Sequence, residues 1–273
     1  MTIDLSSMLK EWPYEPGQIN VRLVEGEDGT PKVQMRLDLG ILQLETVGRP
    51  DGQRPQGYDS LLDLHEARID AARDEAAAAG EVEEGDRGEG ESRGDSGDAE
   101  ESVVTLSEED CRALREEAVQ YYHRYISLLV LGDYDGVVRD CARNLRVMDL
   151  CRDHAESEED QQVLEQFRSY VLMMRTRALA TQMVTDDEPK AALFVLDDGI
   201  EQIRRVYSDA GRGEEFEESS EVQLLRGMRD ELGSKLPASP RAELRDRLAK
   251  ALEQENYELA AILRDELKMM KEG

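Results

Sequence analysis

The chain has 273 residues and a mass of 30.8 kDa, enough for one large domain or two small ones. It carries 62 acidic and 34 basic side chains, a formal charge of -28, so most of its surface repels phosphate, which argues against direct binding of nucleic acid. Only 39% of the residues are hydrophobic and 5% aromatic, too few for one core along the whole length, so we expect part of the chain to be disordered.

Residues 1–79 predict a small α+β module. A short amphipathic helix ends at Pro13, and its apolar positions are Leu5, Met8, Leu9 and Trp12. The segments 20–25 and 32–39 alternate in polarity around a turn-rich sequence and predict a β-hairpin. Gly40 interrupts the alternation, so either a bulge or a third strand follows. A helix with one apolar face is then expected from Asp59 to Gly80.

Residues 80–105 are predicted to be an acidic disordered linker. The stretch 80–102 holds ten acidic and two basic side chains with six glycines, a composition that buries too little surface to offset chain entropy. The favoured interpretation is a spacer between two modules. The alternative is an acidic surface that mimics DNA or masks a basic partner.

Residues 106–233 predict a helical domain. Ser107 and Asp110 have the spacing of a capping box, and the first helix is expected to end at Gly132. A second helix is expected from Asp135. A third is expected from Ser157, with an apolar face comprising Leu164, Phe167, Val171, Met174 and Ala178. Pro189 is expected to start a fourth helix, and a shorter one follows that contains Val222, Leu225, Met228 and Leu232.

The two helix joints, at 131–138 and 186–193, resemble the turn inside a tetratricopeptide (TPR) unit. They lie about 55 residues apart, longer than that repeat, so the prediction is a TPR-like array of α-hairpins, with an ordinary helical bundle as the alternative. Gly233 and two prolines then predict a second linker, 234–240.

Residues 241–273 predict two short antiparallel helices joined near Glu255 and Asn256. Two helices of this size bury too little to be stable alone, so their apolar faces should dock on this chain, a second copy or a partner. The residues expected to bind the partner are Leu244, Leu248, Leu252, Tyr257, Ala260, Ala261, Leu263, Arg264, Asp265 and Leu267.

This segment closely resembles the UVR motif, the helical hairpin shared by the excinuclease subunits UvrB and UvrC and by some regulators of Clp proteases and arginine phosphorylation. The positions that match the family pattern are Leu244, Leu248, Ala251, Glu255, Tyr257, Glu258, Ala260, Ala261, Leu263, Arg264, Asp265 and Leu267. The resemblance implies docking on a protein, such as an excinuclease subunit or a Clp-type ATPase, or self-association. It covers about 33 residues, and the rest of the chain lacks helicase and nuclease motifs, so it implies no activity.

The sequence predicts no catalytic residue, no metal and no cofactor, because phosphate-loop, zinc-protease and serine-hydrolase motifs do not occur in it. The three histidines, His65, His123 and His154, are expected to be structural. The stripe of Tyr121, Tyr122 and Tyr125 is interpreted as helical core rather than as a peptide groove. An enzymatic alternative would rest on the N-terminal module with its polar loop at 48–57.

The cysteines Cys111, Cys141 and Cys151 are expected to be buried or inert thiols, since they have no CxxC spacing. A pair of Cys141 and Cys151 is excluded because ten residues along one helix span about 15 Å. No apolar run approaches the roughly 20 residues of a membrane span, and the N-terminus resembles no signal peptide. We therefore expect a cytoplasmic protein.

The sequence as a whole predicts a mainly α fold with a small N-terminal α+β module. The predicted function is a non-enzymatic adaptor or regulatory protein that docks on a protein partner through the C-terminal hairpin, linked to nucleotide excision repair or to Clp-type protein quality control. The alternative is a homo-oligomeric helical scaffold in which the hairpin only self-associates.

Overall fold

The computed structural model describes residues 4–85, 104–235, 240–254 and 256–269. The chain forms two compact units, Met1–Arg226 and Gly227–Gly273. In the described part the protein is mostly helical, with one small antiparallel sheet. The predicted mainly α fold with an N-terminal α+β portion is thereby confirmed at this level.

Three antiparallel strands form the sheet in the order β1, β2, β3, with bounds Asn20–Glu25, Pro31–Arg36 and Ile41–Glu45. Val33 lies opposite Leu23 on one side and Leu44 on the other, so the predicted alternation gives one apolar face. The second strand ends at Arg36 rather than at residue 39. The guanidinium of Arg36 donates to the backbone oxygens of Trp12 and Gly40 and holds the next turn closed. Of the two alternatives predicted after Gly40, a bulge or a third strand, the structure has the strand, β3.

The short helix α1, Ser6–Glu11, contains no buried residue, so the predicted apolar stripe does not enter the core. Its contact with the sheet is polar and aromatic: the Arg22 guanidinium carbon lies 4.2 Å from the centre of the Trp12 ring. The same face of the sheet buries a row of polar side chains, Lys32, Gln34 and Arg36. Each has a partner, because Lys32 pairs with Glu45 at 2.6 Å and Gln34 bonds to Arg22.

Helix α2, Leu61–Gly85, extends five residues beyond the predicted end at Gly80. The amide of Asp63 donates to the Ser60 hydroxyl at 3.2 Å, and that hydroxyl donates to the Asp63 carboxylate at 2.6 Å. This pair of bonds caps the helix start. The rest of the predicted linker, 86–103, lies outside the described residues.

Four long helices follow: α3 (Glu108–Leu131), α4 (Tyr134–His154), α6 (Arg168–Thr185) and α7 (Pro189–Asp209). The predicted capping box is confirmed, since Ser107 and Asp110 bond reciprocally. Gly132 takes a left-handed conformation with φ of 79° and ends α3, as predicted. Pro189 occupies the first turn of α7, also as predicted.

The prediction of one continuous helix from Ser157 is wrong. The segment divides into a short helix α5, Glu158–Gln162, a 3-10 turn at Glu165–Phe167, and then α6. The break lets Asp160 pair with Arg115 of α3, and Arg168 pair with Asp149 of α4 at 3.0 Å. Phe167 is left exposed instead of sharing the apolar face.

The sequence missed one core residue after α7. Phe216, in a 3-10 turn at Gly213–Glu218, is almost fully buried, with its ring centre 6.2 Å from that of Tyr207. The guanidinium carbon of Arg204 lies 4.2 Å from the centre of the Phe216 ring. Helix α8, Ser220–Lys235, then buries Val222 and Leu225.

The structure divides the chain differently from the sequence. The predicted modules 1–79 and 106–233 share one compact unit up to Arg226, because β1, β2 and α2 pack against α3. The boundary falls inside α8, between Arg226 and Gly227, rather than at the linker 234–240.

Helices α6 and α7 approach closely at Gly199, and we predict that Gly199→Ala destabilises the protein. A Cβ at this position would lie 2.8 Å from the Cβ of the buried Thr176. Overpacking of this kind typically costs about 1 to 3 kcal/mol, measurable by urea unfolding.

The matched control is Gly227→Ala, a helical glycine whose added Cβ would meet nothing within 4 Å. It should be neutral or stabilise slightly, by up to about 1 kcal/mol. Adding Thr176→Ala to Gly199→Ala should recover part of the loss, and strict additivity of the two changes would contradict the assigned clash.

Candidate functional site

The C-terminal unit contains the predicted helical hairpin. Helices α9, Pro240–Glu253, and α10, Tyr257–Met269, pack against each other. The amide of Asn256 donates to the Ala251 oxygen at 2.8 Å and closes the turn, while the Asn256 side chain accepts from the Leu259 amide at 3.2 Å and caps α10. Glu255, the first position of the family pattern, lies outside the described residues.

The core of this hairpin is very small. Among the residues whose burial the structure describes, Ala251, Ala260 and Leu263 are buried, with Leu244 and Leu248 packed against them. Alanines at two of the three buried positions let the helices approach closely, but they contribute little apolar area. Burial of a single leucine-sized side chain is worth about 1.5 to 3 kcal/mol, so this core cannot offset the ordering of about 30 residues.

Large apolar side chains of the hairpin remain in solvent. Tyr257 is 68% exposed, Ile262 57% and Leu252 51%, and Leu259 is also exposed. Tyr257 and Ala261 are four residues apart and share one side of α10. Leu259 and Ile262 are three apart and share another.

The ten predicted binding residues therefore have different environments. Ala260 and Leu263 are buried inside the hairpin, and Leu244, Leu248, Ala261 and Leu267 are partly buried. Leu252, Tyr257, Arg264 and Asp265 are exposed. Leu259 and Ile262 were missed by the sequence analysis, although their spacing on one helix face was a signal that could have found them.

Arg264 and Asp265, two of the predicted binding residues, form a charge pair with each other. Nε of Arg264 lies 3.5 Å from Oδ1 of its neighbour Asp265, and both side chains are exposed. The hairpin segment 241–273 carries eight acidic and seven basic side chains, so it is nearly neutral in a chain of charge -28. The exposed surface of the hairpin therefore combines apolar side chains with charges of both signs.

A second candidate is a buried network of charged side chains in the first unit. The Glu117 carboxylate is fully buried, pairs with Arg143, and lies 3.2 Å from Nε of Arg49. It also accepts the Leu61 amide, at 3.0 and 3.1 Å. The contacts to this carboxylate join the loop after β3, the start of α2 and helix α4.

A neighbouring ion pair extends this network. Arg124 binds Asp140 through two hydrogen bonds of 2.7 and 2.8 Å, and both side chains are buried. Another guanidinium nitrogen of Arg124 donates to the backbone oxygens of Glu45 and Gly48. The Tyr121 ring lies between Arg124 and Arg143, with guanidinium carbons 4.7 and 4.1 Å from its centre. These groups bind one another and line neither of the two clefts described for this chain, so the network is structural.

A third candidate is a cleft of about 920 Å³ lined by the ends of α4 and α7 and the start of α6. Its arginines are Arg152, Arg168, Arg205 and Arg212. Each has a carboxylate partner, for example Glu165 for Arg168 at 2.6 Å and Asp149 for Arg152 at 3.0 Å. The arginines are therefore neutralised within the protein, which leaves little positive charge for a ligand.

The buried tyrosines and histidines are explained by packing. Tyr121 and Tyr125 are core residues, whereas Tyr122 is exposed and contacts the Tyr170 ring at 6.4 Å. His154 bonds to the Val104 oxygen at 3.1 Å. Among the described residues, no group of three or more His, Cys, Asp and Glu side chains is arranged to hold a metal ion. No helix of the described chain is long and apolar enough to span a membrane.

Comparison with protein-family models finds no match, nor does comparison with curated proteins or with solved structures. The likeness of the C-terminal segment to the UVR motif therefore stays a prediction that rests on its residues. The hairpin is the candidate site that leaves bulky apolar side chains unpaired.

We predict that Glu117→Gln destabilises the protein by about 3 to 5 kcal/mol, the range for breaking a buried ion pair. The amide would leave Arg143 without its carboxylate partner inside the protein, whereas Arg49 would keep Asp51 at 3.1 Å. The free energy of unfolding by urea checks this result.

Glu109→Gln is the matched control on the same helix, because Glu109 is exposed and lies 3.8 Å from the exposed Arg112. It should change the stability by less than about 0.5 kcal/mol. Equal effects of the two substitutions would contradict the structural role of Glu117.

We also predict that the protein loses stability as the pH falls below about 6.5, in part through His65. Burial lowers the pKa of His65 below its usual value, while Asp110, 3.8 Å away, opposes this shift. The unfolded chain therefore takes up the proton at a higher pH than the folded chain, and acidification favours unfolding.

The test compares the free energy of unfolding at pH 7.5 and at pH 5.5 for the unmodified chain and His65→Gln. The variant should show a smaller loss between the two pH values. An identical loss in both proteins would assign the effect to other groups, such as His123, whose pKa burial also lowers.

Proposed function

We propose that this protein is a non-enzymatic adaptor that docks on a protein partner through its C-terminal hairpin. The supporting observation is the imbalance among the described residues of the hairpin: three are buried, while Leu252, Tyr257, Leu259 and Ile262 remain exposed. A helical hairpin with so little core gains stability when a partner covers these side chains. Exposed aromatic and aliphatic residues of this kind are typical anchors of protein interfaces.

Charge favours a different protein over a second copy as the partner. Two copies of this chain, each of formal charge -28, repel each other at low ionic strength. The hairpin itself is nearly neutral and opposes neither kind of contact. By the resemblance to the UVR motif, the partner is an excinuclease subunit or a Clp-type ATPase.

Within this proposal the first unit is the scaffold. Helices α3, α4, α6 and α7 form two α-hairpins that resemble TPR units, and the protein acts in the cytoplasm. The adaptor would then join whatever the first unit binds to the partner of the hairpin.

The proposal is tested by measuring the binding of purified excinuclease subunits and Clp-type ATPases to the full chain and to two double variants. Tyr257→Ala with Ala261→Glu changes one side of α10, and Leu259→Ser with Ile262→Ser changes the other. We expect at least one double variant to weaken binding about tenfold or more, because loss of an interface anchor typically costs about 2 kcal/mol or more.

Phe194→Glu is the control. Phe194, on α7, is 74% exposed but belongs to the first unit, so this change lowers surface hydrophobicity without altering the hairpin. Binding that survives both hairpin variants would overturn the docking role. Absence of binding by the unmodified chain would overturn the proposed classes of partner. A dimer that light scattering detects for the unmodified chain and that is lost in both hairpin variants would favour the homo-oligomeric scaffold.

A further inference from the structure

Two of the three cysteines lie opposite each other on antiparallel helices. The side-chain amide of Asn144, on α4, donates to the Ala118 oxygen of α3 at 3.0 Å, which fixes the register of these helices. Seven residues from Ala118 toward the start of α3 is Cys111, and seven residues from Asn144 toward the end of α4 is Cys151. Seven residues are about two helical turns, so both cysteines stay on the facing sides.

Other contacts hold this end of the two helices together. The Leu106 amide donates to the His154 oxygen at 2.7 Å, and the Glu156 amide donates to the Leu106 oxygen at 3.1 Å. Cys111 and Cys151 are buried free thiols, and Sγ of Cys111 lies 4.0 Å from the Leu106 oxygen, which also accepts the Glu156 amide. The register of the two helices and the bridge between Leu106 and Ala155 therefore place the two cysteines opposite each other in the reduced protein.

We propose that Cys111 and Cys151 form an intramolecular disulfide when the protein meets a small peroxide. The bridge covalently ties the start of α3 to the end of α4. A thiol reductant such as reduced glutathione reverses it in two thiol–disulfide exchange steps, in which the reductant is oxidised to its own disulfide.

The reaction balances with hydrogen peroxide as the oxidant. The Cys111 thiolate attacks one peroxide oxygen, the O–O bond breaks, and the leaving hydroxide takes a proton to become water. The resulting sulfenic acid is attacked by Cys151 sulfur, the S–O bond breaks, and a second water leaves with the Cys151 proton. Two thiols are oxidised by two electrons in all, and one peroxide is reduced to two waters.

The order of attack follows from the surroundings of the two thiols. Burial raises the pKa of both groups, that of Cys151 to about 12. The interaction between the two thiols lowers the pKa of Cys111 and raises that of Cys151, so Cys111 is the more readily ionised thiol. Because both are buried, the reaction requires brief local opening at this end of the helices and should be slow.

Cys141 provides the internal comparison. It is also fully buried on α4, but it neighbours Tyr125, and the helix separates it from Cys151. In an unfolded chain the preference reverses, since Cys141 and Cys151 close the shortest of the three possible loops. The folded structure therefore favours a bridge between Cys111 and Cys151, whereas the unfolded chain favours one between Cys141 and Cys151.

The test treats the full chain with hydrogen peroxide under native conditions and in concentrated urea. Remaining thiols are alkylated after denaturation, and the bridges are identified by mass spectrometry of peptides without reduction. Under native conditions we expect one alkylated cysteine, Cys141, and a Cys111 to Cys151 bridge. In urea we expect bridges between Cys141 and Cys151 to predominate.

Three single variants complete the design. Cys111→Ser and Cys151→Ser should each abolish the native bridge, whereas Cys141→Ser, at an equally buried position, should retain it. The bridged protein should also unfold several degrees higher than the reduced one, because the cross-link restricts the unfolded chain. Three free thiols after prolonged native oxidation, a native bridge that involves Cys141, or a bridge between two chains would each overturn the proposal.

Discussion

The fold of the first unit depends on one buried carboxylate, that of Glu117. Removal of a charge from water is expensive, and a protein tolerates it only where opposite charges and hydrogen-bond donors surround the group. Here the compensating groups come from the loop after β3, from the first amide of α2 and from α4. The amide lies at a helix start, where the helix dipole also favours a negative charge. The sheet and α2 are therefore held to the helices by polar bonds as well as by apolar packing.

These long-range polar contacts are also what the sequence could not predict. Three predicted helix ends are confirmed: the capping box at Ser107, the end of α3 at Gly132 and the start of α7 at Pro189. Each of them depends only on neighbouring residues in the sequence. Glu117 stands among other charged residues of an exposed-looking helix, and nothing local shows that Arg143 and Arg49 surround it. Likewise, the apolar spacing through Phe167 continues across the break before α6, and the ion pairs that accompany the break join residues distant in the sequence. The two modules 1–79 and 106–233 were predicted from the acidic composition between them, and composition does not show that the segments on either side pack together.

The hairpin shows the same limit at a smaller scale. Its two helices and the buried Ala260 and Leu263 follow from the pattern of the residues, since helix packing and pattern select the same positions. Leu259 and Ile262 were missed because the expected binding residues were chosen largely from positions that match the UVR pattern, and these two are not among them.

The acidic stretch between α2 and α3 was predicted to separate two modules, but the residues on both sides of it belong to one unit. Helix α2 ends at Gly85, the described chain resumes at Val104, whose oxygen bonds to His154, and both sides belong to one compact unit. The stretch therefore connects two parts of one unit rather than two separate units. Since the entropy of closing such a loop rises only slowly with its length, evolution can lengthen or shorten it at little energetic cost. A protease that cuts there would leave two fragments still held together by the Glu117 network, so a nicked molecule would migrate as an intact one until it is denatured.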